Sequence, residues 1–320
     1  MDSPMKRVTT LTVNPAIDKS TRVEQVMPEK KLRCERPRRE PGGGGVNVSR
    51  AIQRLGGTSM LLYLGGGPTG DILEHLLAGE GVAARKIPIR GWTRENLVVF
   101  EERSGQQFRF GMPGPEVRPE EWQECLEVLG GVDVAPDYLV ASGSLAPGLP
   151  DDFYRRVAGV VVKAGSRLVV DTSGQALREL AGAEVFLIKP NIRELQDLAG
   201  RELVDEKSQV DAARQAIDHG FCSVVALSLE RGGALAITAD ETVRVLAPTV
   251  PIRSKVGAGD SMVAGMVLAF ARGMDLGDAL RFGVAAGAAA VMTDGSELCR
   301  REDTERLYEE LKASGNGRPV

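Results

Sequence analysis

The stretch EPGGGGVNVSRAIQRLGG, residues 40–57, sets four consecutive glycines immediately before an amphipathic pattern. Val46, Val48, Ala51, Ile52 and Leu55 recur at helical spacing, and Gly56-Gly57 closes the pattern as a C-terminal stop. Glycine loses more conformational freedom on folding than any other residue, so a run of four needs a reason. A flexible spacer is one reason. The other is a backbone that something polar must approach closely, beside the N–H groups of a helix start. A spacer does not lead straight into a well-formed helix, so the second reading is favoured.

Working outward, strand-like and helical segments alternate. RVTTLTV and SMLLYLG read as strands, and GDILEHLLAGEG as a helix. DYLVASG, RLVVDTS, EVFLIKPN and SVVALSLE read as further strands. Between and beyond them, DDFYRRVAGVVVKAG, ALRELAG, IRELQDLAG, SQVDAARQAIDHG and the Gly/Ala-rich region 259–292 read as helical. Such alternation predicts an α/β protein with a mainly parallel sheet between helix layers. Two stretches, about 20–40 and 92–112, break the alternation. TRVEQV, KLRCE, ENLVVFEE and QFRFGM alternate apolar and polar residues, with a turn at Ser104-Gly105. They predict a small sheet protruding from a single domain that spans residues 1–320.

Composition removes several function classes. A formal net charge of −4 argues against bulk electrostatic binding of nucleic acid. The four cysteines (Cys34, Cys125, Cys222, Cys299) lack metal-ligand spacing and read as reduced thiols. With His75 and His219 as the only histidines, a multi-histidine metal site is not expected. No signal peptide or membrane-length apolar run is present, so a cytoplasmic protein without a membrane partner is expected.

Ligands of an open parallel sheet bind beyond the carboxyl ends of its strands. Polar clusters stand there: NPAID (14–18), GGGPTGD (65–71), SGSLAPG (142–148), KPNIRE (189–194) and SLERGG (228–233). In SKVGAGDSMVAGMVLAF (254–270), GAGD opens a long apolar helix. Small residues at Gly257, Ala258 and Gly259 let a substrate reach the helix-start N–H groups, which stabilise developing negative charge. Asp260 beside them could accept a proton from an attacking hydroxyl. An isolated GAGD is equally an ordinary tight turn with a helix cap.

Taken together, GGGGVNVSRAIQRLGG, KPNIRE and SKVGAGDSMVAGMV resemble the signatures of the PfkB carbohydrate kinases, of the ribokinase-like superfamily. The resemblance covers residues 7–310, and KLRCE, RGWTRENL, QFRFGMPG, SGSLAPG and RFGVAAGAAAV resemble its branch acting on fructose 6-phosphate. It implies a three-layer α/β/α core with a β-sheet lid, and ATP-dependent phosphorylation of the sugar's C1 hydroxyl. Asp260 would be the base, and Gly257, Ala258 and Gly259 the anion hole. Asp18, Gly43, Gly44, Gly45, Asn47 and Ser144 would meet the sugar, with Lys31, Arg94 and Arg109 on its phosphate. Lys189, Asn191, Ser228, Glu230, Gly232 and Gly233 would meet ATP. Glu194 would hold Mg2+, and carbonyls near Ser254 and Val256 would hold K+. Lys255, where the family commonly has a small residue, is expected to point to solvent. The resemblance further implies a homodimer through the lid, and a tetramer with ATP.

Fructose 1-phosphate or tagatose 6-phosphate would suit the lid cations equally well, although KLRCE and WTREN favour fructose 6-phosphate. A non-catalytic sensor of the same fold would have no need of Asp260, Glu194 and GAGD together. An NAD-dependent oxidoreductase would need Gly-x-Gly-x-x-Gly after the first strand, and NPAID does not supply it.

Overall fold

The computed structural model describes residues 5–131, 135–295 and 297–315. The chain runs β1 (Val8–Thr12), β2 (Ala16–Val23), β3 (Arg38–Gly42), α1 (Gly44–Arg54), β4 (Met60–Gly65), α2 (Gly67–Gly79) and β5 (Ala84–Pro88). Next come β6 (Arg94–Glu101), β7 (Gln107–Phe110), α3 (Pro119–Gly130), β8 (Tyr138–Ser142), α4 (Phe153–Val161) and β9 (Arg167–Asp171). Then follow α5 (Gln175–Arg178), β10 (Val185–Ile188), α6 (Ile192–Ala199), α7 (Glu206–Asp218) and β11 (Cys222–Ser228). The chain continues with β12 (Ala234–Ile237), β13 (Thr242–Val245), α8 (Ala258–Ala271), α9 (Leu276–Val291) and α10 (Arg301–Ala313).

Nine strands form one sheet in the order β13-β12-β11-β10-β9-β8-β1-β4-β5, parallel except where β12 joins β11 and β13. From β1 the chain winds out through β4 to β5, then returns to the other side of β1 as β8. The strand order therefore reverses beside β1, and a crevice opens there at the carboxyl ends of β1 and β8. Apolar faces of α1, α8, α9 and α10 cover one side of the sheet, through Ile52, Val267, Ala286 and Leu307. On the other side α3, α4, α6 and α7 pack through Cys125, Phe153, Leu195 and Ala212. This is the expected ribokinase-like α/β/α sandwich. The Gly/Ala-rich region is helical as expected and forms two helices, separated at Gly273 (φ 81°) with Asp275 capping α9. Small residues let the two pack closely: a Cβ at Gly283 would lie 2.4 Å from the Met266 side chain.

Four strands form the second, smaller sheet in the order β3-β2-β6-β7. The β6–β7 hairpin turns where Ser104-Gly105 predicts. KLRCE, however, is not a strand. Pro37 lacks an N–H for the ladder, and β3 begins only at Arg38, so it runs straight into the glycine run. Nor does this sheet carry its apolar residues on one face. Asp18 pairs with Asn96 and Ser20 with Val98, itself opposite Arg109; alternation therefore puts Phe100 with the polar set. Phe108 and Phe110 lie with Leu97 and Val99 on the opposite face.

The glycines at the crevice mark close approach within the chain itself. A Cβ at Gly44 would lie 2.3 Å from Ser142 Oγ and 2.7 Å from the Gly143 nitrogen; one at Gly45 would lie 2.5 Å from Leu11 O. Gly44→Ala should therefore destabilise the fold by about 2 kcal/mol or more in denaturant titrations. Gly159, on the exposed side of α4 with nothing within 4 Å of where a Cβ would stand, is the control. Gly159→Ala should raise stability by roughly 0.5–1 kcal/mol.

Candidate active site

A cleft of about 590 Å³ opens beyond the carboxyl ends of β1, β8 and β9, roofed by the small sheet. It is lined by Asp18, Gly43, Gly44, Asn47, Arg94, Arg109, Ser144, Glu194, Val256, Gly257 and Asp260, eleven of the residues singled out from the sequence. Asp171 and Asn96 line it too. Neither was expected. Asp171 ends the strand RLVVD, so the rule that ligands gather at strand ends points to it; Asn96 lies within a strand and gives no such signal.

At one wall α8 begins. Gly257 caps it in the left-handed region (φ 74°), and a Cβ there would meet the Leu298 side chain at 2.4 Å. The first intrahelical bond runs from Ser261 N to Gly257 O, so the N–H groups of Ala258, Gly259 and Asp260 have no helical acceptor. Among the described residues no side chain caps this end. It is open to an anion.

The Asp260 carboxylate in that first turn accepts a hydrogen bond from Asn47 Nδ2 at 2.8 Å. Burial, and then the nearby Asp171 carboxylate, push its pKa up to about 7, against the opposing effects of Asn47 and Lys189. Lys189, just past the end of β10, is buried and sits 3.2 Å from Oδ1 of the mostly buried Asp171. Burial alone would lower its pKa, but Asp171, Glu194 and Asp260 outweigh that and hold the ammonium charged. A Cβ on Gly259 would lie 3.5 Å from that ammonium, so Lys189 stands beside the helix start.

KPNIRE has a local structural role. The Asn191 side chain caps α6, its Oδ1 accepting from the N–H groups of Arg193 and Glu194, while Glu194 Oε2 accepts from Asn191 N. This is a capping box. It leaves Asn191 only its amide Nδ2 for a ligand, and it fixes Glu194 at the cleft wall. Burial raises the Glu194 pKa, more than the Asn191 N–H and Lys189 lower it. Ser228 ends β11 and bridges to Asn191, and the turn Glu230–Gly232 follows. Gly233 abuts Val245 O, 2.0 Å from where its Cβ would be, so this glycine too is required by the chain itself. Glu230 forms an exposed ion pair with Lys255 at 3.2 Å, so Lys255 turns outward as expected.

Other assignments look different in three dimensions. Lys31 is exposed in the β2–β3 connection, and the structure does not bring it to the cleft. Arg94 does line the cleft, yet its fork is committed to backbone: Nη1 donates to Met112 O and Nη2 to Asn14 O, both at 2.9 Å. Asp18 accepts from Asn96 Nδ2 at 2.8 Å, and Ser144 Oγ accepts from Asn14 Nδ2 at 3.3 Å. Gly45 lies behind the cleft wall. Ser254 is buried, its Oγ donating to Gly295 O at 2.8 Å.

A part-buried aspartate whose pKa is raised binds its proton more tightly in the folded chain than in the unfolded one. Its favourable effect exists at low pH and is lost as pH climbs from about 4 to about 7. Above pH 7 the ionised carboxylate is a cost. Asp260→Asn, which keeps an acceptor for Asn47, should be more stable than the parent at pH 8 by roughly 1–4 kcal/mol. That advantage should vanish near pH 4 in paired thermal melts.

Comparison with known proteins assigns the chain. The family model described as "pfkB family carbohydrate kinase" matches residues 9–303. The chain is 43% identical over 308 residues to ATP-dependent 6-phosphofructokinase isozyme 2 of Mycobacterium tuberculosis, covering 96% of this chain and 91% of that protein. It is 41% identical over 305 residues to the isozyme 2 enzyme of Escherichia coli, covering 95% and 98%. Phosphofructokinase-2 from Escherichia coli in complex with potassium superposes with a TM-score of 0.93 at 41% identity, covering 96% of this chain and 100% of that one. The fructose-6-phosphate complex and the tetrameric inhibited form of that enzyme each superpose at 0.91, at 40% and 41% identity and with the same coverage. With the signatures, the sheet order and the cleft in agreement, the chain belongs to the pfkB family of carbohydrate kinases.

Proposed function

We propose that the protein transfers the γ-phosphoryl group of ATP to the C1 hydroxyl of fructose 6-phosphate, giving fructose 1,6-bisphosphate and ADP. The observation that carries this reading is Asp260, a carboxylate with pKa about 7 at the open start of α8, inside a cleft roofed by the small sheet that bears Arg109. The 41–43% identity to enzymes named for that reaction supports the choice of sugar.

In this mechanism Asp260 takes the proton of the C1 hydroxyl as its oxygen bonds to the γ-phosphorus and the bond to ADP breaks. Charge on the transferred group falls toward the N–H groups of Gly257, Ala258 and Gly259 and the ammonium of Lys189. Asp18, Asn47 and Ser144 orient the sugar against the backbone of Gly43 and Gly44, with Gly45 behind them. Arg109, on the lid face that carries Asp18 and Asn96, meets its phosphate. Lys31 lies outside this cleft, and Arg94 serves by holding the lid base. The turn after β11, with Ser228, Glu230, Gly232 and Gly233, and the Asn191 amide receive the nucleotide.

Glu194 suits a magnesium ion. Its carboxylate faces the cleft and is buried enough to raise its pKa, a strain that a divalent cation relieves. Mg2+ would neutralise charge on the nucleotide phosphates. The Ser254–Val256 segment suits potassium, since Val256 lines the cleft, backbone carbonyls are hard oxygen ligands, and the Lys255 ammonium turns away to Glu230.

Two lids pack together in the proposed homodimer, excluding water from the reacting phosphate; two such dimers would form the tetramer with ATP. Phe108 and Phe110, the latter 47% exposed and also bordering the cleft, share the face that a partner would cover. Replacing both with Asp should yield monomers in light scattering and raise KM for the sugar phosphate. A fully active parent monomer at micromolar concentration would overturn the dimer.

A coupled assay across fructose 6-phosphate, fructose 1-phosphate and tagatose 6-phosphate tests the substrate; fructose 6-phosphate should give the highest kcat/KM. Because the base must be ionised, kcat should fall on the acid side with an apparent pKa near 7. Asp260→Asn should cost roughly 10²- to 10⁴-fold in kcat with the fold intact. Near-parental turnover in that folded variant would reject the assignment.

A further inference from the structure

Arg50 heads the fully buried side chains by size, and its guanidinium has no exposed surface. It stands on α1, one turn beyond Asn47. Its Nε and Nη2 fork onto Glu80 Oε2 and Oε1, both at 2.7 Å. Nη1 donates to Pro41 O at 2.9 Å and faces Asn47 Oδ1 at 3.4 Å; Glu40 Oε1 lies 3.9 Å from Nη2. Neither Arg50 nor Glu80 lines the cleft. Glu80 is part-exposed, with 30% of its side chain accessible, so the fork ties a wholly buried guanidinium to a carboxylate at the surface, and stability alone is a weak reason for such a pair. What the arginine does supply is donors and no acceptor, aimed at one end of one amide.

We propose that Arg50 is a positioning residue for phosphoryl transfer, fixing the Asn47 amide with its oxygen inward and its nitrogen on Asp260. This deepens the kinase reading above and rests on Asp260 being the base. Arg50 acts through the arrangement that it forbids. A protonated Asp260 could donate to the oxygen of a flipped Asn47 amide, and that arrangement favours the inactive, protonated base. With Arg50 present, the flip would set amide N–H groups against guanidinium N–H groups. Asn47 is therefore held as a donor, which favours the ionised carboxylate. The remaining charged groups that act on Asp260 are Asp171, Asp18 and Lys189. None contacts Arg50, and all remain when it is replaced.

The test uses the full chain with Arg50→Met and Glu80→Met combined, so that Glu80 is not left without its partner, while Glu40 keeps Arg38 Nη2 at 3.9 Å. Asp260→Asn and the same pair in an Asn47→Ala background are measured alongside. The pair should melt near the parent temperature, lose roughly tenfold in kcat and change KM for the sugar little. Its acid limb should move to higher pH by roughly half a unit to one unit. In the Asn47→Ala background the pair should change kcat less than about twofold, because the effect passes through that amide. Arg50→Lys keeps the charge beside Glu80 without the planar fork and should shift the acid limb in the same direction, which covers a pair that folds poorly. Parental kcat and acid limb in the folded pair, or an equal loss in the Asn47→Ala background, would overturn the positioning role. If Asp260→Asn itself stays active, the base assignment fails instead.

Discussion

Backbone lies against backbone at the crevice beside β1, with no room for a Cβ, and the site depends on that contact. Gly44 and Gly45 sit against Ser142, Gly143, Leu11 and Thr12, so α1 starts directly over the ends of β8 and β1. Val46 N donates to Thr12 Oγ1 at 2.9 Å, which locks the seating. Asn47 is thereby carried to within hydrogen-bond distance of Asp260, a residue 213 positions away in sequence. Any larger side chain at Gly44 would lift the helix and separate donor from base before it touched a ligand.

The cleft gathers four carboxylates, Asp18, Asp171, Glu194 and Asp260, around a single buried ammonium, Lys189. Burial first, and then the Asp171 and Asp18 carboxylates, push the pKa of Asp260 up to about 7. A lone aspartate at a helix start would be drawn the other way, toward stronger acidity, by the helix dipole. The chemistry therefore lies in the neighbourhood rather than in the GAGD turn.

Much of this was legible in the chain. The alternation of strands and helices pointed to the layered architecture, and glycine and polar clusters after strands marked where the cleft opens. The reason for the glycines was not legible, because the atoms they admit belong to Ser142 and Leu11, far away in sequence. KLRCE has strand-like alternation, yet Pro37 and the lack of a continuing ladder leave it irregular. The strands β5, β12 and β13 and the helices α3 and α10 went unread, being short or highly charged, with their type decided by packing. The lid's faces were not legible because Phe100 and Phe108 look alike in sequence, while their strand register sets them on opposite sides. Asp171 could have been found by its place at a strand end. Lys31 is a cation of suitable chemistry on a segment that stands away from the cleft of its own chain.

Four lengths of backbone cross between the core and the small sheet: residues 13–15, Gly43, residues 89–93 and residues 111–118. Arg94, at the root of β6, grips the first and last of these through Asn14 O and Met112 O, so one guanidinium pins three crossings together. Its Nε is buried with no acceptor among the described residues, which makes the pin costly to keep desolvated. The fourth crossing is Gly43, at φ 109°, immediately before α1. This crossing is fastened as well, since Arg50 of α1 reaches back over it to Pro41 O at the end of β3. In mechanical terms the small sheet is clamped at both ends by arginines, and the second clamp stands on the same helix that holds Asn47 against Asp260.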